Sequence, residues 1–393
     1  MRIAWLHSHL LNPNSGGSRF VIDYADGLQM QHGHQVTIVC DVASATAREQ
    51  VLSKNLGLVE LDDCSTNSPL YWLTLPWRIA RKRRALARRI AEFDVVLNSM
   101  FPMSWLAMGL PLRKVQICYE PFAFFYDQPF LMNFKASHRW FFKLAKILYA
   151  SRDRAALRSM DRVITINKTN VPKLRQTYGV EAEVVYAGID TDLYQRAPSA
   201  AITALRSRST GAPLLFHSTD LTVLKGSFAL LDVLARLTAA WPTLKLVVTV
   251  YVHDPAGVER FLQRVRELNL QRHVDYLGLL PREELPLYYS AVDFVCQPSL
   301  NQPASWPLKE ALICGTPIIG GVESEEVETG VNGARIDVRD VEAAVVQLDS
   351  LFRAREQLDV RTSADSMRSH YSRSACVAQL NGWVEALHAP LPQ

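Results

Sequence analysis

The sequence predicts an α/β protein with two Rossmann-like, doubly wound parallel-sheet domains facing each other across a cleft. Three observations carry this expectation. The chain has 393 residues, too many for one ordinary core and suited to two domains of typical size. Short apolar strand-like runs alternate with helix-like stretches from the first residue onward, the rhythm of parallel sheets covered by helices on both faces. That rhythm pauses once, in a polar stretch near residues 190–212, and then restarts.

The elements follow in order. Ile3–His7 reads as a strand. Ser18 to Gln31 has helical spacing, with Ser18 as N-cap and Gly33 just past the end. Gln35–Cys40, Val95–Ser99, Val115–Tyr119 and Val163–Asn167 are further short apolar strands. Pro198, Gly211 and the run Ser207-Arg208-Ser209-Thr210 mark the interdomain linker. Beyond it come the strand Leu214–His217, a helix from about Gly226 to Ala240 and the strand Leu246–Val250. Leu230, Leu231, Leu234 and Leu237 share one face of that helix, as packing on a sheet requires. Val274–Leu277, Phe294–Gln297 and Pro317–Gly320 continue the second sheet, and a final helical stretch runs from Ser372 to Leu387. These marks divide the chain into a first domain over 1–195, a second over 196–370, and a C-terminal helix over 371–393 that crosses back to the first domain.

Composition narrows the class. Hydrophobic residues make up 48% and charged residues 21%, the balance of a folded protein. No stretch approaches the roughly 20 apolar residues that cross a bilayer, and Met1-Arg2 runs straight into a strand, without the pattern of a secretory signal. A cytoplasmic location is expected. The six cysteines, at 40, 64, 118, 296, 314 and 376, show no paired close spacing and read as buried reduced thiols; nothing clusters as metal ligands do. A net charge of +4 is too weak to imply nucleic acid. The basic residues are nevertheless uneven: Arg78 to Arg89 holds seven Arg or Lys, and Phe134 to Arg158 mixes bases with aromatics. Such segments are either solvated helix faces or surfaces that rest on an anionic membrane.

Three motifs suggest chemistry. Asn14-Ser15-Gly16-Gly17-Ser18-Arg19 follows the first strand and opens the first helix. Its glycines let backbone N–H groups approach an anion, aided by the helix dipole, or else they only permit a tight turn. Lys225-Gly226 follows a strand and the polar loop His217-Ser218-Thr219-Asp220, and is read as a helix start. A lysine there opposes the dipole unless a diphosphate binds both. The richest segment is residues 296–320, CQPSLNQPASWPLKEALICGTPIIG. A helix is expected from about Pro307, closed by Gly315. The loop before it can aim the Ala304, Ser305 and Trp306 amides at a ligand. Glu310, read as lying near the helix start, can accept two ribose hydroxyls or can simply complement the dipole.

That segment resembles the signature of retaining GT-B-fold glycosyltransferases of family 4, also called glycosyl transferases group 1. The resemblance rests on Pro298, Ser299, Glu310, Ala311, Gly315, Thr316 and Pro317, and it extends in order along nearly the whole chain. Gly16-Gly17 is similar to the family's N-terminal glycine turn, Gly33-His34-Gln35-Val36 to its GH-x-V, and Ala187-Gly188-Ile189-Asp190 to its NGVD. Lys225-Gly226 resembles the KG of the phosphate loop. Leu277-Gly278 with Tyr289-Ser290-Ala291-Val292-Asp293 resembles LG and Y-x-x-AD, and Gly330-Val331-Asn332-Gly333 resembles DGVNG. The resemblance implies that Glu310 binds the donor ribose and that Lys225 neutralises the diphosphate. It implies further that the 304–306 amides hold phosphate or sugar, that the loop Leu277–Leu280, with Gly278 and Leu280, meets the base, and that no metal or other cofactor is needed. Asp190-Thr191-Asp192 is similar to the metal-binding D-x-D of another transferase fold, but its place inside the NGVD-like motif argues against that role.

Departures from the pattern are equally specific. Gln302 stands for the first of two glutamates eight positions apart, and Pro303 removes an N–H donor after it. Cys118-Tyr119-Glu120-Pro121 resembles a CHEP motif in which Tyr119 replaces a histidine near the reaction centre; a phenol with an ordinary pKa near 10 is a poorer proton shuttle. Thr219 or Asp220 stands where many relatives carry an arginine. The catalytic candidates are therefore Tyr119, Glu120, Lys225 and Gln302. The donor-binding candidates are Gly16, Gly17, Ser218, Thr219, Asp220, Lys225, Gly226, Gly278, Leu280, Ala304, Ser305, Trp306 and Glu310. The implied reaction moves a hexose from a UDP- or GDP-sugar to a hydroxyl of a surface glycan or lipid-linked sugar. The rival is a degenerate relative that holds nucleotide sugar, or a partner enzyme, without turnover. An epimerase or phosphorylase of the same architecture is a further alternative, though a phosphorylase should carry a recognisable lysine for pyridoxal phosphate.

Overall fold

A computed structural model describes residues 1–13, 15–62, 69–132, 134–208, 212–252, 254–300 and 305–387. The chain divides into two units, Met1–Gly188 with Arg373–Gln393, and Ile189–Ser372. In the first unit the strands are β1 Arg2–Leu10, β2 Gln35–Ala43, β3 Gly57–Glu60, β4 Val95–Asn98, β5 Arg113–Cys118, β6 Arg162–Thr165 and β7 Glu183–Val184. Its helices are α1 Gly16–His32, α2 Ala45–Ser53, α3 Pro69–Leu73, α4 Leu75–Ala87, α5 Met103–Met108, α6 Ala123–Tyr126, α7 Gln128–Leu131, α8 Ala136–Arg158 and α9 Asn170–Tyr178. The strands form one parallel sheet in the order β3-β2-β1-β4-β5-β6-β7. Chain direction around the sheet reverses between β1 and β4, and ligands of open α/β sheets bind at the carboxyl ends of strands beside such a reversal.

The second unit repeats the plan with β8 Leu214–Thr219, β9 Lys245–Val250, β10 Val274–Leu279, β11 Phe294–Gln297, β12 Ile318–Gly321 and β13 Gly333–Ile336. The helices are α10 Ser199–Arg208, α11 Ser227–Leu237, α12 Pro255–Glu267, α13 Leu285–Ala291, α14 Trp306–Ile313, α15 Val341–Arg353 and α16 Val360–Tyr371. All strand pairs are parallel, in the order β10-β9-β8-β11-β12-β13, with the reversal between β8 and β11. Leu230, Leu231, Leu234 and Leu237 of α11 are buried against β8, β9 and α15 in one apolar cluster. The two parallel-sheet units are those the sequence predicts.

Several boundaries differ, for local reasons. Ser15, not Ser18, precedes the first helix. Gly16 and Gly17 are its first two residues, so Ser18 lies inside the first turn, buried, with Ser15 Oγ 3.1 Å from its own hydroxyl. Gly33 closes that helix at φ +67°, as expected. Part of the expected linker at 190–212 is not a loop, because α10 occupies 199–208. Arg206 donates from Nε to Ala291 O at 2.6 Å and pairs with Asp293, tying α10 to α13. The units part earlier, at Gly188/Ile189, and again at Ser372/Arg373, rather than at 195/196 and 370/371. Lys225 does not begin a helix. It ends a 3₁₀ turn, Val223–Lys225, and α11 starts at Ser227 after Gly226 at φ +69°. The segment 277–280 is mostly strand, with a register irregularity between Tyr276 and Gly278.

The last helix, α17 Arg373–Ala386, belongs to the first unit. It lies so close to α1 that a Cβ on Gly27 would stand 2.7 Å from Val377 Cγ2. His34 Nε2 and Asn381 Oδ1 are 2.6 Å apart, Gln379 donates to Val184 O at 3.0 Å, and Arg373 pairs with Asp23 at 3.3 Å.

The basic run behaves unlike either expectation at its centre. Lys82 of α4 is fully buried, its Nζ 2.7 Å from Asp41 Oδ1 and 3.4 Å from Asp62 Oδ2. Tyr71 Oη donates to Asp41 Oδ2 at 2.8 Å, and Arg78 reaches Asp62 at 2.5 Å. These bases pin α4 over the carboxyl ends of β2 and β3. Removing one partner of a buried ion pair costs about 3–5 kcal/mol. Lys82→Met should therefore lower stability on that scale, read as a shift in urea unfolding. Arg84 and Arg88 remain exposed.

Candidate functional site

In the second unit the candidate residues gather at the carboxyl end of β8 and β11. Thr219 Oγ1 is 2.7 Å from Ser227 Oγ and accepts from Leu221 N at 2.9 Å, which folds the chain back after the strand. Ser218 O accepts from Gln297 Nε2 at 2.9 Å. Asp220 accepts from Thr222 N and Thr222 Oγ1 at 3.0 and 2.7 Å, and from Tyr251 Oη at 2.9 Å. Burial opposes its ionisation, but nearby Lys225 and these donors outweigh it and hold the carboxyl below its usual pKa. Lys225 lies half-buried with Nζ 5.9 Å from the Tyr251 ring centroid. Gly226 has no room for a side chain, since a Cβ would stand 2.3 Å from Pro298 O. Leu300 N donates to Leu224 O at 2.8 Å. The lysine turn and the loop after β11 are thus packed together, as a shared anion site requires.

Glu310 sits past the middle of α14 rather than near its start, and it is 2% exposed. Its Oε2 accepts from Tyr289 Oη at 3.0 Å. Ser305, the N-cap of α14, gives its N–H to Glu326 Oε1 at 2.9 Å, and Trp306 is half-buried beside it. Glu326 also faces Lys309 Nζ at 3.6 Å. This buried pair, which fixes the start of α14, was not legible in the sequence: both side chains lie within a few per cent of full burial, where residue type alone suggests solvent. Gln302 and Ala304 lie outside the described residues. Gly278 is at φ +76° at the end of β10 with nothing within 4 Å of a built Cβ, and Leu280 is half-buried beyond it. Asp190 Oδ1 accepts from Leu193 N at 3.2 Å and Oδ2 lies 3.9 Å from Arg282, so the D-x-D is a paired turn. No group of three His, Cys, Asp or Glu able to hold a metal ion occurs among the described residues. Five cysteines are free and buried, and Cys64 lies outside the described residues.

In the first unit, Gly16 and Gly17 open α1 beside the end of β5. Tyr119 Oη donates to Gly17 O at 3.5 Å, its ring meets Phe20 edge-on, and its carbonyl accepts from Asn170. Burial pushes its phenol above the ordinary pKa, against a smaller opposing hydrogen bond with Ser99. Glu120 is exposed, its carbonyl accepting from Cys118 Sγ. His7 on β1, which the sequence showed only as a strand residue, lies against the same spot.

Two family models match this chain in tandem. Glycosyltransferase Family 4 matches residues 14–193 and Glycosyl transferases group 1 matches 203–365. The chain belongs to the family 4 glycosyltransferases. Solved structures agree on the fold over nearly all of this chain. Anabaena HepE in complex with UDP and glucose matches at TM-score 0.74 and 17% identity, covering 99% of this chain and 100% of that one. A sucrose-phosphate synthase from Thermosynechococcus elongatus matches at TM-score 0.79 and 16% identity, covering 99% of each. Among curated relatives, a D-inositol 3-phosphate glycosyltransferase of Mycobacterium sp. (strain JLS) is 26% identical over 52% of this chain and 48% of its own length. A GDP-mannose-dependent α-(1-6)-phosphatidylinositol monomannoside mannosyltransferase of Mycolicibacterium smegmatis is 24% identical over 51% and 56%. The chain spans about half the length of the curated relatives it matches.

Proposed function

We propose that this glycosyltransferase moves a hexose from a UDP- or GDP-sugar to a hydroxyl acceptor, with retention at the anomeric carbon and without a metal. The observation that carries the reading is the packed turn of Asp220, Lys225 and Gly226 against the loop after β11, within a chain that both halves of the family signature match in order. HepE, solved with UDP and glucose, and the GDP-mannose-dependent relative support a nucleotide-sugar donor of either base. Lys225 and the Trp306 amide face the diphosphate, whereas the Ser305 amide, expected there from the sequence, is taken by Glu326 Oε1; Glu310 takes ribose hydroxyls in exchange for its bond to Tyr289. The bond from anomeric carbon to phosphate oxygen breaks. The acceptor oxygen bonds to that carbon on the same face, and the acceptor proton passes to the departing phosphate. Negative charge grows on the diphosphate in the transition state, where fixed cations and N–H donors lower the barrier.

Incubation with UDP-, GDP- and ADP-sugars tests the proposal through nucleotide release and thermal shift. Selective stabilisation with release is expected, and Lys225→Ala should cut turnover by on the order of a hundredfold. EDTA should leave turnover unchanged. Stabilisation without release, even with a glycolipid acceptor, would favour a non-catalytic nucleotide-sugar binder; Tyr119, whose phenol stays protonated, gives that second reading its observation.

Exposed apolar and basic side chains of the first unit support a lipid-linked acceptor. Among the described residues no helix is long and apolar enough to cross a membrane. However, Leu73, Trp77, Trp140 and Ile147 on α3, α4 and α8 are 65, 61, 69 and 78% exposed. Arg81 stands 5.2 Å over the Trp77 ring, and Arg84 and Lys143 are exposed nearby in sequence. Exposed aromatic and aliphatic side chains among bases suit an anionic bilayer surface. Co-sedimentation with phosphatidylglycerol vesicles at low salt is expected, with loss in the Trp77→Glu, Trp140→Glu double variant. Absence of the wild-type protein from the pellet would remove the membrane part alone.

A further inference from the structure

The segment that follows β5 is held by its backbone, which leaves its side chains to other uses. Asn170, at the start of α9, donates from its side chain to Tyr119 O, and Cys118 Sγ donates to Glu120 O at 3.1 Å. Tyr178, at the end of the same helix, accepts the Phe122 N–H on its phenol oxygen at 3.1 Å. Glu120 is exposed, and the Tyr119 phenol reaches Gly17 O at the opening of α1. The segment lies at the carboxyl end of β5, next to β4 and the reversal where open α/β sheets take their ligands.

Behind Tyr178 stands Asp153 of α8, 2% exposed. Tyr178 donates its hydroxyl to Asp153 Oδ2 at 3.0 Å, and Arg158, further along α8, donates from Nε to Tyr178 O at 2.6 Å. The helix thus grips Tyr178 at both ends. Burial and the Asp153 charge keep the phenol protonated, so it gives its one proton to the carboxylate and offers a lone pair to Phe122. Hydrogen bonds in series polarise one another, and an ionised carboxylate strengthens the bond to the Phe122 amide.

The charge on Asp153 does not stabilise the fold. No ion pair to it occurs among the described residues, and burial pushes its pKa up to about 7, against Tyr178, Tyr126 and the adjacent Arg154. Above that pH the ionised group costs stability that an amide would not. The groups around it are few. Tyr126 of α6 faces it, with Lys146 Nζ 5.3 Å over the Tyr126 ring. Cys118 at the end of β5 keeps a protonated thiol through burial and the nearby Asp153. Arg175 of α9 pairs with Glu181, and α5 brings no titratable side chain. We propose that Asp153 is a positioning residue for sugar transfer: through Tyr178 it fixes the Tyr119–Phe122 segment, and with it Tyr119 and Glu120, at the ligand edge of the first sheet. The proposal rests on the transferase reading above.

The test compares the wild-type chain with Tyr178→Phe, Asp153→Leu and Asp153→Asn. Tyr178→Phe removes the link and keeps the ring. Asp153→Leu removes charge and acceptor together, whereas Asp153→Asn keeps an acceptor for Tyr178 and should melt at or above the wild-type temperature at pH 8. With the nucleotide sugar the wild type uses, Tyr178→Phe and Asp153→Leu should lower kcat about ten- to a hundredfold at pH 8 while the donor KM holds, and Asp153→Asn should recover part of it. Wild-type kcat should fall as pH drops through about 7, where Asp153 takes up its proton, and Asp153→Asn should lack this limb. A merely structural role would move the melting temperature and leave the shape of the pH profile alone. An Asp153→Asn profile like that of the wild type, or an undiminished kcat in Tyr178→Phe, would overturn the proposal and leave the transferase reading standing. If the wild type turns over no donor, the transferase reading falls. The Phe122 amide signal, assigned in ¹⁵N-phenylalanine-labelled protein by its loss in Phe122→Leu, then decides. Titration of that signal near pH 7 that Asp153→Asn abolishes supports the hold on the segment, and a signal unmoved by pH overturns it.

Discussion

The first turn of each unit, β1 into α1 and β8 into α11, has the same parts put to opposite uses. Both strands are central in their sheets, and each carries a buried histidine just past the pairs Leu6↔Asn98 and Phe216↔Val295. His217 is satisfied at both nitrogens, Nδ1 at 2.8 Å from Cys296 O and Nε2 at 2.8 Å from Ser227 Oγ. His7 is not. Gly226 is glycine because backbone fills the place of its side chain, whereas Gly17 is glycine where a side chain would fit. One turn is closed by the protein's own atoms and the other is left incomplete. Likeness of fold therefore says little about which of two related turns has spare hydrogen-bonding capacity.

Substitutions can break this contrast or sharpen it. Gly226→Ala should have the largest effect, a loss of about 2 kcal/mol or more from the left-handed backbone and the overlap with Pro298 O, measured by denaturant unfolding. His217→Phe leaves Ser227 and the Cys296 carbonyl without their ring partner and should cost about 1–3 kcal/mol in the same assay. Acid comes next. Burial lowers the pKa of His7 to about 3 and of His217 to about 4. A pKa below its unfolded value gives stability that is present above about pH 6.5 and is lost as pH falls toward the folded value. His7→Phe should therefore recover about 1 kcal/mol relative to wild type between pH 7 and 5.5. Asp153, pushed up to about 7 by burial, has the opposite slope, but it is common to both proteins and cancels in the difference. The smallest effect is a gain of up to about 1 kcal/mol for Gly17→Ala, the helix preference of alanine over glycine. A loss there would mean that the space over Gly17 is already filled.

The strands were legible because central parallel strands are apolar on both faces, as Ile3–Leu6 and Leu214–Phe216 are, and the family pattern was legible from its glycines and the Glu310 segment. What escaped were places where polar side chains turn inward. Ser199–Arg208 looks like a linker because its burial runs through Arg206 and Asp293, which no hydrophobic period marks. Lys82 looks like part of a solvated face because nothing local announces Asp41 and Asp62, which arrive from β2 and from the chain just after β3. Ser18 looks like a cap because the pattern cannot show that two glycines begin the helix before it. His7 was invisible for the same reason as Lys82: its significance lies in partners that only the folded chain reveals as missing.

The return of α17 to α1 has a consequence for how the protein is made. The first unit emerges from the ribosome without the helix whose Val377 fits against Gly27. Between Gly188 and Arg373 the entire second unit is synthesised, which at roughly 5–20 residues per second takes on the order of ten to forty seconds. For that interval the face of α1 with Asp23, and His34 just past its end, wait for Arg373 and Asn381 and are open to the cell. The second unit has no such wait, and its sheet can be complete while the first still lacks its final helix.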